Sequence, residues 1–266
     1  MYYKLSIIFL LLFSLNVNSQ TIIFTNPGTS YTNVDAAIVN NYGPIDVSNC
    51  TSLRFSYDFE FSLDWVGSGN MESPDECTFN GGCLPDINMP ILNGCNTCWD
   101  FMYAELLLDG VVVFSELIGQ PNETRQFGTI EWTGCTNGAS VATIRFINQN
   151  WAANETNIFS NIQLECWQAV PTVSADDPIC VGDILTLTGV IPNQADASSW
   201  VWTSIGAGTI NTPSSLITTV NGAQNGDTYI LTVTDDNNCT ASDQVTVMVN
   251  PLQDATFDFS NFCVGS

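Results

Sequence analysis

The sequence predicts an all-β protein built as two consecutive β-sandwiches, and three observations carry that prediction. From Leu53 to Asp64, apolar Leu53, Phe55, Tyr57, Phe59, Phe61 and Leu63 alternate without a break with Arg54, Ser56, Asp58, Glu60, Ser62 and Asp64. A period of two sends one face of a strand inward and the other to water. Asp109-Gly110 stands between two apolar runs and supplies the positive φ angles of a tight hairpin. No stretch carries a convincing amphipathic helical period.

Taken in order, Met1 to Ser19 place one positive charge at Lys4, an apolar run from Leu5 to Leu15, and modest residues at 16–19. That is the order of a secretory signal peptide cut before Gln20, and the run is too short to span a bilayer. Residues 20–168 then suit one sizeable domain. Its strands are expected at Leu53–Asp64, Asp100–Leu108, Val111–Ile118, Gly128–Trp132, Val141–Asn148 and Ile158–Cys166, between polar loops rich in Gly and Asn. Many short antiparallel strands over this length predict a jelly-roll-like β-sandwich.

A boundary falls at Ala169-Val170-Pro171. Residues 169–250 repeat short strands at the turn-separated intervals of an immunoglobulin-like β-sandwich: Ile184–Thr188, Ser199–Thr203, Leu216–Val220, Thr228–Thr234 and Gln244–Val249. Trp202 is placed as the core tryptophan, and Asp227-Thr228-Tyr229 as a corner whose tyrosine hydroxyl bonds back to the chain. Ile179-Cys180-Val181-Gly182-Asp183 reappears as Phe262-Cys263-Val264-Gly265-Ser266. Residues 251–266 are therefore expected to open a further, truncated repeat, with the chain as the N-terminal part of a longer protein.

Composition excludes several function classes. The chain has no histidine, which removes Ser/His/Asp triads, Cys/His dyads and His-ligated zinc. Four basic residues stand against 27 carboxylates, so phosphate backbones are repelled and nucleic acid is excluded as a partner. No further apolar run suggests a transmembrane segment in the mature chain. Ten cysteines behind an export leader read as disulfide staples in an oxidising compartment.

Cys180 is expected to pair with Cys239, which lies in the turn between the last two strands. Cys50 and Cys166 bracket the strand-rich part of the first domain and are expected to pin a loop of more than 100 residues. Cys77, Cys83, Cys95 and Cys98 cluster between them; disulfides are the favoured reading there, with structural zinc or a redox Cys-x-x-Cys as alternatives. Seven cysteines in the first domain leave one over, assigned to Cys135 as an inert buried thiol.

Flat indole rings can stack sugars. Trp65, Trp99 and Trp151 adjoin loops rich in Gly, Asn and Asp and are the candidate ligand-binding residues. Glu72, Asp75 and Glu76 form a carboxylate-rich loop, the candidate calcium site, since calcium takes oxygen ligands. Asp58 and Glu60 sit two apart on one strand face, about 7 Å between carbons. Any such pair on a solvated face has that spacing, and no catalytic residue is assigned.

The stretch Pro171–Pro251, with its Cys-Val-Gly-Asp opening, Trp200-Val201-Trp202, Tyr229-Ile230-Leu231-Thr232-Val233-Thr234-Asp235 and Asn238-Cys239, resembles the PKD-like and immunoglobulin-like repeats of large surface adhesins from gliding bacteria. The resemblance implies export, typically by the type IX route, and display at the cell surface or secretion. The expected function is then non-enzymatic adhesion, the first sandwich binding an extracellular glycan or surface ligand and the repeats acting as spacer. The alternatives are an accessory carbohydrate-binding region of a larger extracellular hydrolase, or a purely structural spacer.

Overall fold

The structure, a computed structural model, describes residues 20–32, 34–61, 101–118, 127–150 and 156–252. The first sandwich contains β1 (Thr21–Thr32), β2 (Val34–Asp46), β3 (Ser52–Phe61), β4 (Phe101–Leu108), β5 (Val111–Ile118), β6 (Phe127–Cys135), β7 (Val141–Asn150) and β8 (Thr156–Trp167). They form two four-stranded sheets, β1-β8-β3-β6 and β2-β7-β4-β5. The pairs β1·β8, β2·β7, β3·β6 and β4·β5 are all antiparallel. One long hairpin, β1–β4 against β5–β8, has thus been rolled so that successive pairs fall in alternate sheets, which is the jelly-roll order.

The alternation that predicts β3 is what closes this roll. Leu53, Phe55, Tyr57 and Phe59 are all buried, whereas Glu60 on the opposite face is exposed. They meet Leu106 and Ile144 from the other sheet in one core. Phe146 sits at the centre, 4.1 Å from Phe159 and 5.1 Å from Tyr57 between ring centroids.

β1 and β2 lack a clean period because each contains a proline, Pro27 and Pro44. A proline cannot donate to a ladder, and both strands lie at sheet edges, where that loss is tolerated. β2 also shifts register between Tyr42 and Ile45.

The second sandwich contains β9 (Thr172–Ala175), β10 (Ile179–Cys180), β11 (Leu185–Val190), β12 (Ala197–Ile205), β13 (Thr209–Ile210), β14 (Ile217–Asn221), β15 (Thr228–Asp235), β16 (Thr240–Thr246) and β17 (Val249–Asn250). Sheets β13-β14-β11-β9 and β12-β15-β16 enclose a core of Trp202, Tyr229, Leu185, Leu187, Leu231 and Val220, and β10 pairs in parallel with β17. The Tyr229 hydroxyl reaches the Asp227 carboxylate at 3.3 Å; a side chain replaces the main-chain acceptor expected at this corner. Asp227 in turn takes the N–H groups of Gly208 and Gln224, at 3.1 and 2.9 Å. Among the described residues, no helix is long and apolar enough to cross a membrane.

Cys50 and Cys166 are joined by a disulfide. The expected Cys180–Cys239 bond is not formed: Cys239 is bonded to Cys135, and Cys180 is an exposed free thiol. The reason is distance. Cys180 pairs beside Asn250, past the end of β16, whereas Cys239 precedes its start. Seven residues of strand set the two ends roughly 23 Å apart, far beyond disulfide reach. Cys135 is correspondingly no spare thiol but half of a bridge between the sandwiches.

That bridge lies within a tight joint. Asp235, fully buried, accepts the Thr51 and Ser52 hydroxyls at 2.7 and 2.6 Å. Its other oxygen takes the N–H groups of Asn237 and Cys239, both at 2.9 Å. On the other side of the linker, buried Asp196 accepts the Gln168 N–H at 2.6 Å.

Candidate functional site

Strand order gives the first sandwich two unlike ends. Ser52 at the start of β3, Cys135 at the end of β6 and Trp167 at the end of β8 are register partners and lie at the joint. At the far end, Phe61 pairs with Asn157, Glu60 with Phe127, Phe101 with Gln149, and Met102 with Ile118. These strand ends therefore lie at the end remote from the second sandwich.

On the outer face near that end is an open depression of about 400 Å³ lined by Asp58, Glu60, Phe127, Gly128, Thr129 and Ser160. The volume lies at the lower part of the range for small-ligand sites, roughly 300–1,000 Å³. Three strands contribute. Glu60 stands directly across from Phe127, and Asp58 across from Thr129 on one side and Ser160 on the other. Opposed antiparallel residues hold their Cβ atoms about 5 Å apart, so each row acts as one unit.

The Asp58 carboxylate is fixed by two donors, the Thr129 hydroxyl and the Asn161 amide, each at 2.6 Å. Asn161 can reach it because β8 carries an irregularity here: the ladder with β3 shifts between Ser56 and Asp58, and Asn161 has φ +49°. A bulge that re-aims a side chain toward a neighbouring strand is a recurrent feature of sites. Glu60 is exposed, and Phe127 keeps 74% of its surface in water. A bare phenyl ring beside carboxylates offers an apolar face with anionic acceptors at its edge.

The described arginines of this domain lie away from the depression. Arg54, four residues toward the joint, is held by Glu165 at 2.5 Å, and Arg145 on the other sheet by Glu105. Among the described residues, the charged groups lining the depression are therefore both carboxylates, Asp58 and Glu60. Among the described residues, no group of three or more Cys, Asp and Glu is placed to hold a metal ion.

Trp65, Trp99 and Trp151, the calcium candidates Glu72, Asp75 and Glu76, and Cys77, Cys83, Cys95 and Cys98 lie outside the described residues, as do the leader 1–19 and Cys263. Asp58 and Glu60 share a face, as their spacing requires. Phe127 escaped the sequence reading, yet its signal was present. Ile130 and Trp132 pack toward the core, so the odd positions of β6, including Phe127, must face out.

No curated protein matches this sequence. Among solved structures, the chain is similar to the M60 catalytic domain with the CBM51-1 and CBM51-2 domains of Clostridium perfringens ZmpB, at 12% identity and a TM-score of 0.25. The likeness covers 90% of this chain, which spans 21% of that one. It is also similar to the adhesin domain of Epf from Streptococcus pyogenes, at 8% identity and a TM-score of 0.26, over 86% of this chain and 78% of that one. Residues 175–249 match the family described as K319L-like, PKD domain; the second sandwich is a PKD-like domain.

Proposed function

We propose that this chain is a non-catalytic extracellular binding module, in which the jelly-roll presents its far end to a ligand and the PKD-like domain holds it off as a rigid spacer. The observation that carries the reading is the opposition of the two ends. One is bolted to the PKD-like domain through Cys135–Cys239 and the buried Asp235, and the other carries the depression at Asp58, Glu60 and Phe127. Eight residues of β3 separate Ser52 from Glu60, about 27 Å along an extended strand.

The spacer too has opposed ends. Cys239 faces the first sandwich, while Asn250 lies beyond the opposite end of β16. The bridge between domains requires an oxidising compartment, which supports export to the cell surface or beyond.

The test is a glycan array and a set of insoluble polysaccharides probed with the exported, oxidised chain, alongside assays for release of reducing sugar. Saturable binding without turnover is the expected result. A flat array, or sugar release that tracks the purified protein, would overturn the reading.

A further inference from the structure

We infer that the depression at Glu60 and Phe127 binds a saccharide chain bearing free ammonium groups, an amino-sugar polymer, in preference to a neutral or acidic one. The inference rests on the binding-module reading and specifies its ligand. Two features of the site set the chemistry. Phe127 is 74% exposed although it begins a strand that is otherwise half covered, and its ring can take the C–H face of a pyranose. Glu60 is its direct cross-strand partner, so the two side chains spring from Cβ atoms about 5 Å apart on the same face.

Ring and carboxylate together form a cation site, because the face of the ring and the anion attract the same ammonium group. A neutral glycan would use only the ring. An acidic one would meet Asp58, Glu60 and a chain with formal net charge −23. The described arginines of this domain cannot relieve that repulsion, because Arg54 and Arg145 are engaged by Glu165 and Glu105. Asp58 has a different task. Held by Thr129 and Asn161, it fixes the floor of the depression and adds negative potential.

The experiment compares, by calorimetry on the oxidised chain, a glucosamine hexamer, its fully N-acetylated counterpart, an alginate oligomer and hexalysine, at a mildly acidic pH that keeps amines charged and carboxylates ionised. The glucosamine hexamer is expected to bind roughly tenfold more tightly than the acetylated one, and to weaken as salt is raised. Phe127→Ala and Glu60→Gln should each cost roughly tenfold. Asp236→Asn, the same kind of charge change at the joint, should leave affinity unchanged.

Equal binding of the acetylated hexamer would overturn the ammonium preference, and equal binding of hexalysine would overturn the saccharide. Unchanged affinity in both site variants, with native melting curves, would overturn the location while leaving the binding-module reading intact. If no glycan of any charge binds the unaltered chain, both fall together.

Discussion

Cys135 and Cys239 are bonded across the junction of the two sandwiches, their Cα atoms 5.3 Å apart and 104 residues apart in sequence. Closing a loop of that length removes much of the entropy of the unfolded chain, by about 4–5 kcal/mol on loop-closure grounds and commonly less in practice. Replacing both cysteines with serine should therefore lower the stability of the assembly by about 2–4 kcal/mol. It should also split one denaturation transition into two, because the sandwiches would no longer unfold as one crosslinked unit. Guanidinium melts monitored by tryptophan fluorescence will show this; a single unshifted transition in the double variant would mean that the bridge does not couple the domains.

Asp235 is the polar centre of the same joint. Its carboxylate answers four donors from both domains, so Asp235→Ala leaves the Ser52 hydroxyl and two N–H groups without their acceptor in a buried place, and the Thr51 hydroxyl with the Trp167 carbonyl instead. A loss of about 3 kcal/mol is expected. Asp235→Asn, which keeps one oxygen, should lose less. Urea midpoints that rank the alanine variant with the native chain would remove the carboxylate from the account of rigidity.

The pair Asp227 and Tyr229 gives stability a pH dependence at both extremes. Burial acts to raise Asp227, but the N–H groups of Gln224, Gly208 and Ala207 and the Tyr229 hydroxyl outweigh it and hold the carboxyl below its ordinary value. Burial first, and then the Asp227 charge, pushes Tyr229 up to about 12. A depressed carboxyl contributes stability that is complete above the unfolded value, about 3.9, and is lost as pH falls through the folded one. The raised phenol works in the opposite direction: the unfolded chain releases its proton first, so stability declines as pH climbs from about 10 toward 12. Urea midpoints against pH should show both slopes, and Asp227→Asn should flatten the acid limb.

Phe146 links the sheets of the jelly-roll through Phe159, Tyr57 and Phe55, with centroids at 4.1, 5.1 and 6.3 Å. Phe146→Ala should cost about 3–5 kcal/mol, the transfer of a buried ring plus the cavity it leaves. A smaller loss in denaturant melts would show that the two sheets collapse to refill the gap.

Gly28 has φ +102°, and a Cβ placed there would lie 1.9 Å from the Phe159 carbonyl oxygen. The neighbour is backbone within a paired ladder, so it cannot swing aside. Gly28→Ala should destabilise by about 3 kcal/mol through overlap and backbone strain, read as a drop in the melting temperature of the first sandwich.

Local order in the sequence determined the strand class. Leu53–Phe59 could face inward in only one register, the Asp109-Gly110 turn joined β4 to β5, and Trp202 and Tyr229 became core residues of a second sandwich. Periodicity is a property of neighbours along the chain, so it survives without a structure. It failed at β1 and β2, where Pro27 and Pro44 interrupt the pattern and only an edge position in a finished sheet makes them acceptable.

What the tertiary structure alone decided is every relation between distant parts of the chain. Cys239 looked nearest to Cys180 because both belong to one domain, but the length of β16 holds them apart and domain docking brings Cys135 to Cys239 instead. Asp235 read as one acid in a polar turn; its burial against Thr51 and Ser52 exists only once the sandwiches meet. The depression at Asp58, Glu60 and Phe127 likewise needs three strands, separated by as many as 102 residues from Asp58 to Ser160, to be rolled into one sheet. Hydrophobic alternation says which way a side chain points, whereas pairing energy between remote segments settles what it meets there.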